Sequence, residues 1–233
     1  MLFRSGIIVS EELVILEPYA SSLIESMRSI GYSFETAIAD IIDNSISAKA
    51  TEIKIYQRVK NGIPYIQIID DGIGMSRSEL LDALRLGSKN PTEDREKDDL
   101  GRFGLGLKSA SFSQCRILTV VSKMNNEIHG FQWDLDIVAK TNRFVVRELD
   151  EFEISSFSNL SYLSEREGGT IVQWENFDRI NDSTHDLQDE LADLMIVAIE
   201  HISLIFHRFL NSKLTIQVNN EKVVDRKSTR LNS

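Results

Sequence analysis

Between residues 34 and 48 the apolar positions fall three and four apart: Phe34, Ala37, Ile38, Ile41, Ile42 and Ile46. That spacing lines one side of a 3.6-residue repeat, so the stretch reads as an amphipathic helix. Residues 18–30 repeat the pattern with Leu23, Ile24, Met27 and Ile30, and Gly31 marks the stop. Apolar runs at 53–59 and 64–69 flank Asn61-Gly62, a pair suited to a tight turn with positive φ, and predict a β-hairpin. Further strands are expected at 116–122, 128–134, 144–148 and 170–174. Short helices are expected at 78–86 and from 105 onward. A long helix over 185–210 carries Leu187, Leu191, Leu194, Ala198, Ile202, Ile205 and Phe209 on one face, and a last strand at 214–218 precedes the turn residues Asn219-Asn220. Residues 151–168 read as irregular. Residues 87–104 are polar, charged and glycine-flanked and read as a long loop, either a functional lid or a disordered segment. Helices interspersed with antiparallel strand runs predict an α/β fold, a two-layer α/β sandwich with a mixed, mostly antiparallel sheet and helices on one face.

Composition narrows the function classes. Apolar content of 42% and charged content of 27% are those of an ordinary globular domain. A net charge of −10 gives no electrostatic footprint for non-specific nucleic-acid binding, so DNA contact is expected only through regions outside this chain. A single cysteine, Cys115, excludes an intrachain disulfide and a cysteine zinc site. No membrane span or signal h-region is read, and a cytoplasmic location is expected. The two ends look foreign. Residues 225–233 are polar and basic and continue no periodicity. They reverse-translate to a common sequencing adapter, and residues 2–5 to the reverse complement of that adapter's start. The native domain is therefore expected to span 6–224 as part of a longer protein, with 1–5 and 225–233 as adapter translation.

Four motifs carry candidate chemistry. In Asp40-Ile41-Ile42-Asp43-Asn44 the first and last residues share a helix face. A carboxylate can orient and deprotonate a water, and an amide oxygen is a hard ligand suited to magnesium; alone, such a pair is most often a solvated face. Asp70-Asp71-Gly72-Ile73-Gly74-Met75 follows an apolar strand, so Asp70 sits at the edge of a core, where a carboxylate can accept from an exocyclic amine. Residues 101–110, with Gly101, Gly104 and Gly106, end in a helix start, an anion site built from backbone N–H groups. Neither P-loop spacing nor a βαβ context accompanies them. Gly168-Gly169-Thr170 opens a strand with a hydroxyl beside two flexible residues.

Together and in this order the motifs resemble the GHKL ATPases, the Bergerat-fold group that includes heat-shock chaperones, MutL, type II topoisomerase B subunits, histidine kinases and MORC proteins. The resemblance covers residues 20–218 and is strongest toward the MORC-, chaperone- and MutL-like branch. It implies ATP and Mg2+ as ligands. Asn44 would hold the metal, and Asp40 stands where the family usually has a water-polarising glutamate. Asp70 would read the adenine amine with Thr170 assisting through a water, in a pocket shaped by Gly72, Gly74 and Met75. Gly101, Gly104, Leu105, Gly106 and Lys108 would wrap the phosphates, and Ser88 and Lys89 would add lid contacts. The implied activity is slow ATP hydrolysis coupled to lid closure and to ATP-dependent homodimerisation of the full-length protein.

Two residues depart from the family pattern. Asp40 is one methylene shorter than glutamate, which sets its carboxylate back by about 1.5 Å. Ser47 replaces an aspartate common in MORC and MutL, and nothing in the sequence explains that change. Two rivals stay open: an ATP-gated binding or dimerisation module with little hydrolysis, and a histidine-kinase-type catalytic domain. The latter lacks a phosphoacceptor helix pair here. Cys115, Trp133 and Trp174 read as core, and His185, His201 and His207 as helix surface or edge.

Overall fold

The computed structural model describes residues 18–29, 31–87, 106–180, 186–210 and 213–224. In chain order its elements are α1 (Ala20–Arg28), α2 (Phe34–Ser47), β1 (Glu52–Lys60), β2 (Ile63–Asp70), α3 (Arg77–Leu84), α4 (Gly106–Gln114), β3 (Ile117–Met124), β4 (Glu127–Asp134), α5 (Leu135–Thr141), β5 (Arg147–Glu148), α6 (Glu151–Ser155), α7 (Leu160–Ser164), β6 (Gly169–Glu175), α8 (Leu187–Ile205), α9 (His207–Leu210), β7 (Thr215–Val218) and β8 (Glu221–Lys222). The strands form one eight-stranded sheet in the order β5-β4-β3-β6-β2-β1-β7-β8. Among the described residues only the β1–β7 pair is parallel, so the sheet is mixed and mostly antiparallel, as the pattern predicts.

One face of the sheet meets α1, α2, α4 and α8. Phe34, Ile38, Ile41 and Ile42 of α2 interlock with Ile53 and Ile55 of β1, Ile66 and Ile68 of β2, Val172 and Trp174 of β6, and Leu191, Met195 and Ile202 of α8. Each such side chain contributes about 1.5–3 kcal/mol by leaving water. Phe34 meets Trp174 edge-on at 6.3 Å, which orients the start of α2 over the sheet centre. A smaller cluster on the opposite face joins Ile69, Val121, Leu149, Leu163 and Ile171, with Phe157 and Leu160 packed against it.

Several elements refine the sequence reading. The β1–β2 turn has positive φ at both Asn61 and Gly62, as the hairpin signal requires. Residues 151–168 hold two one-turn helices instead of irregular chain; α6 starts at a capping box in which the Asp150 carboxylate accepts from the Glu153 N–H at 2.8 Å. The seven-residue α5 is too short to show a period, but Asp134 caps it and left-handed Asn142 ends it. The expected strand over 144–148 pairs only through Arg147 and Glu148, with Phe144 exposed. The long C-terminal helix breaks at Phe206 into α8 and α9, and the Asn219-Asn220 turn returns as β8. Cys115 is fully buried, its thiol pushed up by burial, as expected of a core residue.

At the start of β3 a network of charges anchors the sandwich. Buried Arg28 donates to the Phe112 carbonyl at 2.8 Å and pairs with Glu25 and Asp178, while Arg116 bridges Asp178 and Asp136. Burial opposes ionisation of Asp178, but the two arginines outweigh it and hold the carboxyl below its usual range. The other end of the same strand is built differently.

Candidate functional site

Side chains alternate across a strand, so Asp70 shares the helix-facing side of β2 with Ile66 and Ile68. By the same rule Thr170 follows Val172 and Trp174 on β6, and Ser122 follows Leu118 and Val120 on β3. The register sets Asp70 opposite Thr170 and Thr170 opposite Ser122. Three polar side chains therefore form one row across three adjacent strands where the apolar core ends. All three are buried.

Asp70 is the charged member of the row. Burial pushes its carboxyl up to about 6, against hydrogen bonds from Gly72, Ser45 and the Thr170 backbone. Ser45 Oγ donates to one carboxylate oxygen at 2.9 Å, and the Gly72 N–H donates to the other at 2.9 Å. The Ser45 contact ties α2 to the end of β2. It brings two motifs together, because Asn44 immediately precedes Ser45 in that helix and Asp40 lies one turn before Asn44 on the same face. Asn44 is exposed and Asp40 half-buried. Burial raises the Asp40 carboxyl above its usual range, and the neighbouring Tyr32 hydroxyl opposes that rise. Asp43 is raised as well, by burial and then by the charge of Asp40.

The loop after β2 is pinned by Asp71, whose carboxylate accepts from the Thr51 N–H at 2.7 Å, the Glu52 N–H at 2.8 Å and the Thr51 hydroxyl at 2.6 Å. Burial opposes ionisation there too, but these donors outweigh it and hold the carboxyl low. Gly74 has φ +71, and a Cβ on it would lie 1.7 Å from the Lys123 carbonyl oxygen. A Cβ on Gly72 would lie 2.8 Å from the Ala48 carbonyl oxygen, and one on Gly168 would lie 2.6 Å from that of Ile73. The glycines let four backbone segments close on one another beside Asp70. Met75 follows, its N–H donating to Ser122 Oγ at 2.9 Å.

Lys108 is placed elsewhere. Its side chain is buried and its ammonium donates to the carbonyls of Ala83 at 2.7 Å and Arg85 at 2.8 Å. It thereby satisfies carbonyls at the end of α3 that have no intrahelical partner. Burial lowers its pKa to about 8. Gly106 opens α4. Ser88, Lys89, Gly101, Gly104 and Leu105, with nearly all of the expected lid, lie outside the described residues. The structure thus gathers Asp40, Asn44, Asp70, Gly72, Gly74, Met75 and Thr170 around the junction of α2 with β2 and β6, and sets the Lys108 ammonium at α3. Sequence reading did not find Ser45, Asp71 or Ser122 as parts of this site. The one signal was a serine at an inward position of β3 and another beside Asn44.

The site can hold a flat, amine-bearing ring against Asp70. The acceptor is buried and each of its two oxygens is oriented by one donor, which suits it to an amine-bearing partner. No group of three or more His, Cys, Asp or Glu that could hold a metal is found among the described residues. A hard cation here would take the Asn44 amide oxygen and complete its shell from ligand oxygens and water, which suits magnesium. No helix among the described residues is long and apolar enough to cross a membrane.

A sequence profile of the histidine kinase-, DNA gyrase B- and HSP90-like ATPases matches residues 32–170, which include Asp40, Asn44, Asp70, Lys108 and Thr170. The chain is similar to ATPase morc-1 of Caenorhabditis elegans, 34% identical over 93 residues, 40% of this chain and 10% of that protein. Chaperone protein HtpG of Natranaerobius thermophilus is 33% identical over 104 residues, 40% of this chain and 16% of the chaperone. DNA mismatch repair protein MutL of Fervidobacterium nodosum is 27% identical over 99 residues, 42% and 17%. The matched region spans about a tenth to a sixth of the length of these relatives.

Proposed function

The chain belongs to the histidine kinase-, DNA gyrase B- and HSP90-like ATPases, and from that premise we propose that it binds Mg-ATP in the cleft between α2 and the ends of β2, β3 and β6 and hydrolyses it slowly. The observation that carries this reading is the buried Asp70 carboxylate, oriented by Ser45 and Gly72, on the same short stretch of structure as Asn44 and Asp40. Asp70 accepts the adenine amine, and Thr170, opposite it on β6, presents a hydroxyl to the same ring edge or to a water there. Asn44 holds the magnesium ion, which supplies charge neutralisation across the phosphates. Asp40 takes a proton from the attacking water, its reach shortened relative to a glutamate. A shift of about 1 Å in a reacting group costs on the order of a hundredfold, so the turnover is slow.

Lys108 reaches phosphate oxygens only by releasing the Ala83 and Arg85 carbonyls, which couples phosphate contact to the last turn of α3. In the longer protein the nucleotide state is read out as lid closure and homodimerisation.

Asn44→Ala tests the metal assignment. The variant is expected to lose most of the magnesium-dependent part of ATP affinity while adenosine binding stays unchanged. Calorimetric titrations with and without magnesium measure both quantities. Equal ATP affinity in the two conditions for the unmodified protein rules out a metal at Asn44.

A further inference from the structure

Ser122 is the most buried member of the polar row, and its hydroxyl meets three groups. The Met75 N–H donates to it at 2.9 Å, the Gly169 carbonyl lies at 3.1 Å, and the Thr170 hydroxyl at 2.9 Å. A hydroxyl carries one proton and two acceptor positions. Met75 uses one acceptor position, so the proton goes either to the Gly169 carbonyl or to Thr170 Oγ1. In the first case Thr170 donates to Ser122 and offers only lone pairs to the cleft. In the second, Thr170 accepts from Ser122 and its own proton is free for a ligand.

We infer that Ser122 is the positioning residue of the base-binding end of the cleft: it locks the Met75 backbone and the Thr170 hydroxyl into one frame and sets whether Thr170 donates or accepts toward the ring. The inference rests on the nucleotide-binding reading above. Three segments distant in sequence meet at this one hydroxyl: the loop after β2, the end of β3 and the start of β6. Around it, Gly74, Gly168 and Gly169 contribute backbone alone, so no neighbouring glycine supplies a side chain to take its place. An adenine edge presents a ring acceptor next to its amine donor. Asp70 answers the donor, and a Thr170 proton released by Ser122 answers the acceptor directly or through a water. Without Ser122 the Thr170 hydroxyl turns freely and the Met75 N–H loses its acceptor.

Ser122→Ala is expected to weaken ATP and adenosine by the same factor, about tenfold, the scale of one oriented hydrogen bond with a buried donor left unpaired. Ser122→Cys keeps the volume and replaces the hydroxyl by a weaker donor; it is expected to lose a smaller factor and carries the test if the alanine variant does not fold. Thermal melting reports folding. Because Ser122 acts through Thr170, the double variant Ser122→Ala with Thr170→Val is expected to lose much less than the product of the two single losses. Unchanged adenosine affinity in the folded variants overturns the inference, as do losses confined to ATP or losses that multiply in the double variant. Failure of the unmodified protein to bind ATP or adenosine overturns the nucleotide reading itself, and this inference with it.

Discussion

Asp70→Asn is expected to weaken ATP and adenosine binding at least tenfold. The Ser45 hydroxyl and the Gly72 N–H already converge on the two carboxylate oxygens, and the adenine amine adds a further donor. An asparagine offers one oxygen and turns an NH2 group toward the remaining donors. Leaving a buried donor unpaired costs about 1–3 kcal/mol, and each 1.4 kcal/mol or so is a factor of ten. The same carboxylate gives a pH signature. Its pKa is raised to about 6 by burial, so below that pH it is protonated, one oxygen becomes an O–H that faces the converging donors, and its hold on the amine weakens. Adenosine affinity is therefore expected to fall as pH drops through about 6, with no such limb in the Asp70→Asn protein. Adenosine is the right probe because it has no phosphates to titrate in that range. The linkage to folding runs the other way. A raised carboxyl favours the folded state at low pH, and that contribution is lost as pH rises toward 6, so the ionised Asp70 costs stability at neutral pH. Calorimetry across pH 5 to 8 checks both expectations, and equal affinities for the two proteins remove Asp70 as the base reader.

Asp40→Asn is expected to leave ATP affinity within about twofold and to lower phosphate release at least tenfold, a low bound for losing a positioned general base. A base acts in the transition state, so its loss shows in turnover and spares ground-state binding. Asp40→Glu then separates two accounts of the short side chain. A faster rate means the aspartate is set back from the water and the domain acts mainly as an ATP-gated module. A slower rate means the pocket is built around the shorter carboxylate and the domain is a working ATPase. Phosphate release from Asp40→Asn at the original rate moves the base to another residue.

What the sequence discloses follows the range of the interactions. The α2 period and the Asn61-Gly62 turn are set by neighbours a few residues apart, and both were legible. So was the place of Asp70 at the edge of a core, because an apolar run leads straight into it. The α5 helix was not legible, since one capping aspartate and seven residues leave no period to count. Nor was the one-residue break at Phe206, which lies inside an unbroken apolar pattern. Ser45 and Ser122 were missed for a different reason. Their partners lie 25 and 47 or 48 residues away, and a serine beside an apolar run carries no mark of what it will meet. Lys108 shows the opposite difficulty. A lysine inside a glycine-rich motif reads as a phosphate ligand, and nothing local discloses that its ammonium settles on carbonyls of α3.

The central claim is that this cleft takes an adenine nucleotide with Asp70 as its reader. Titration of ATP, and separately of GTP, into the unmodified protein in the presence of magnesium tests it most directly. The expected result is one ATP bound per chain with GTP at least tenfold weaker, because guanine turns a carbonyl oxygen toward the Asp70 carboxylate where adenine offers an amine. The absence of ATP binding, or equal affinity for the two nucleotides, contradicts it.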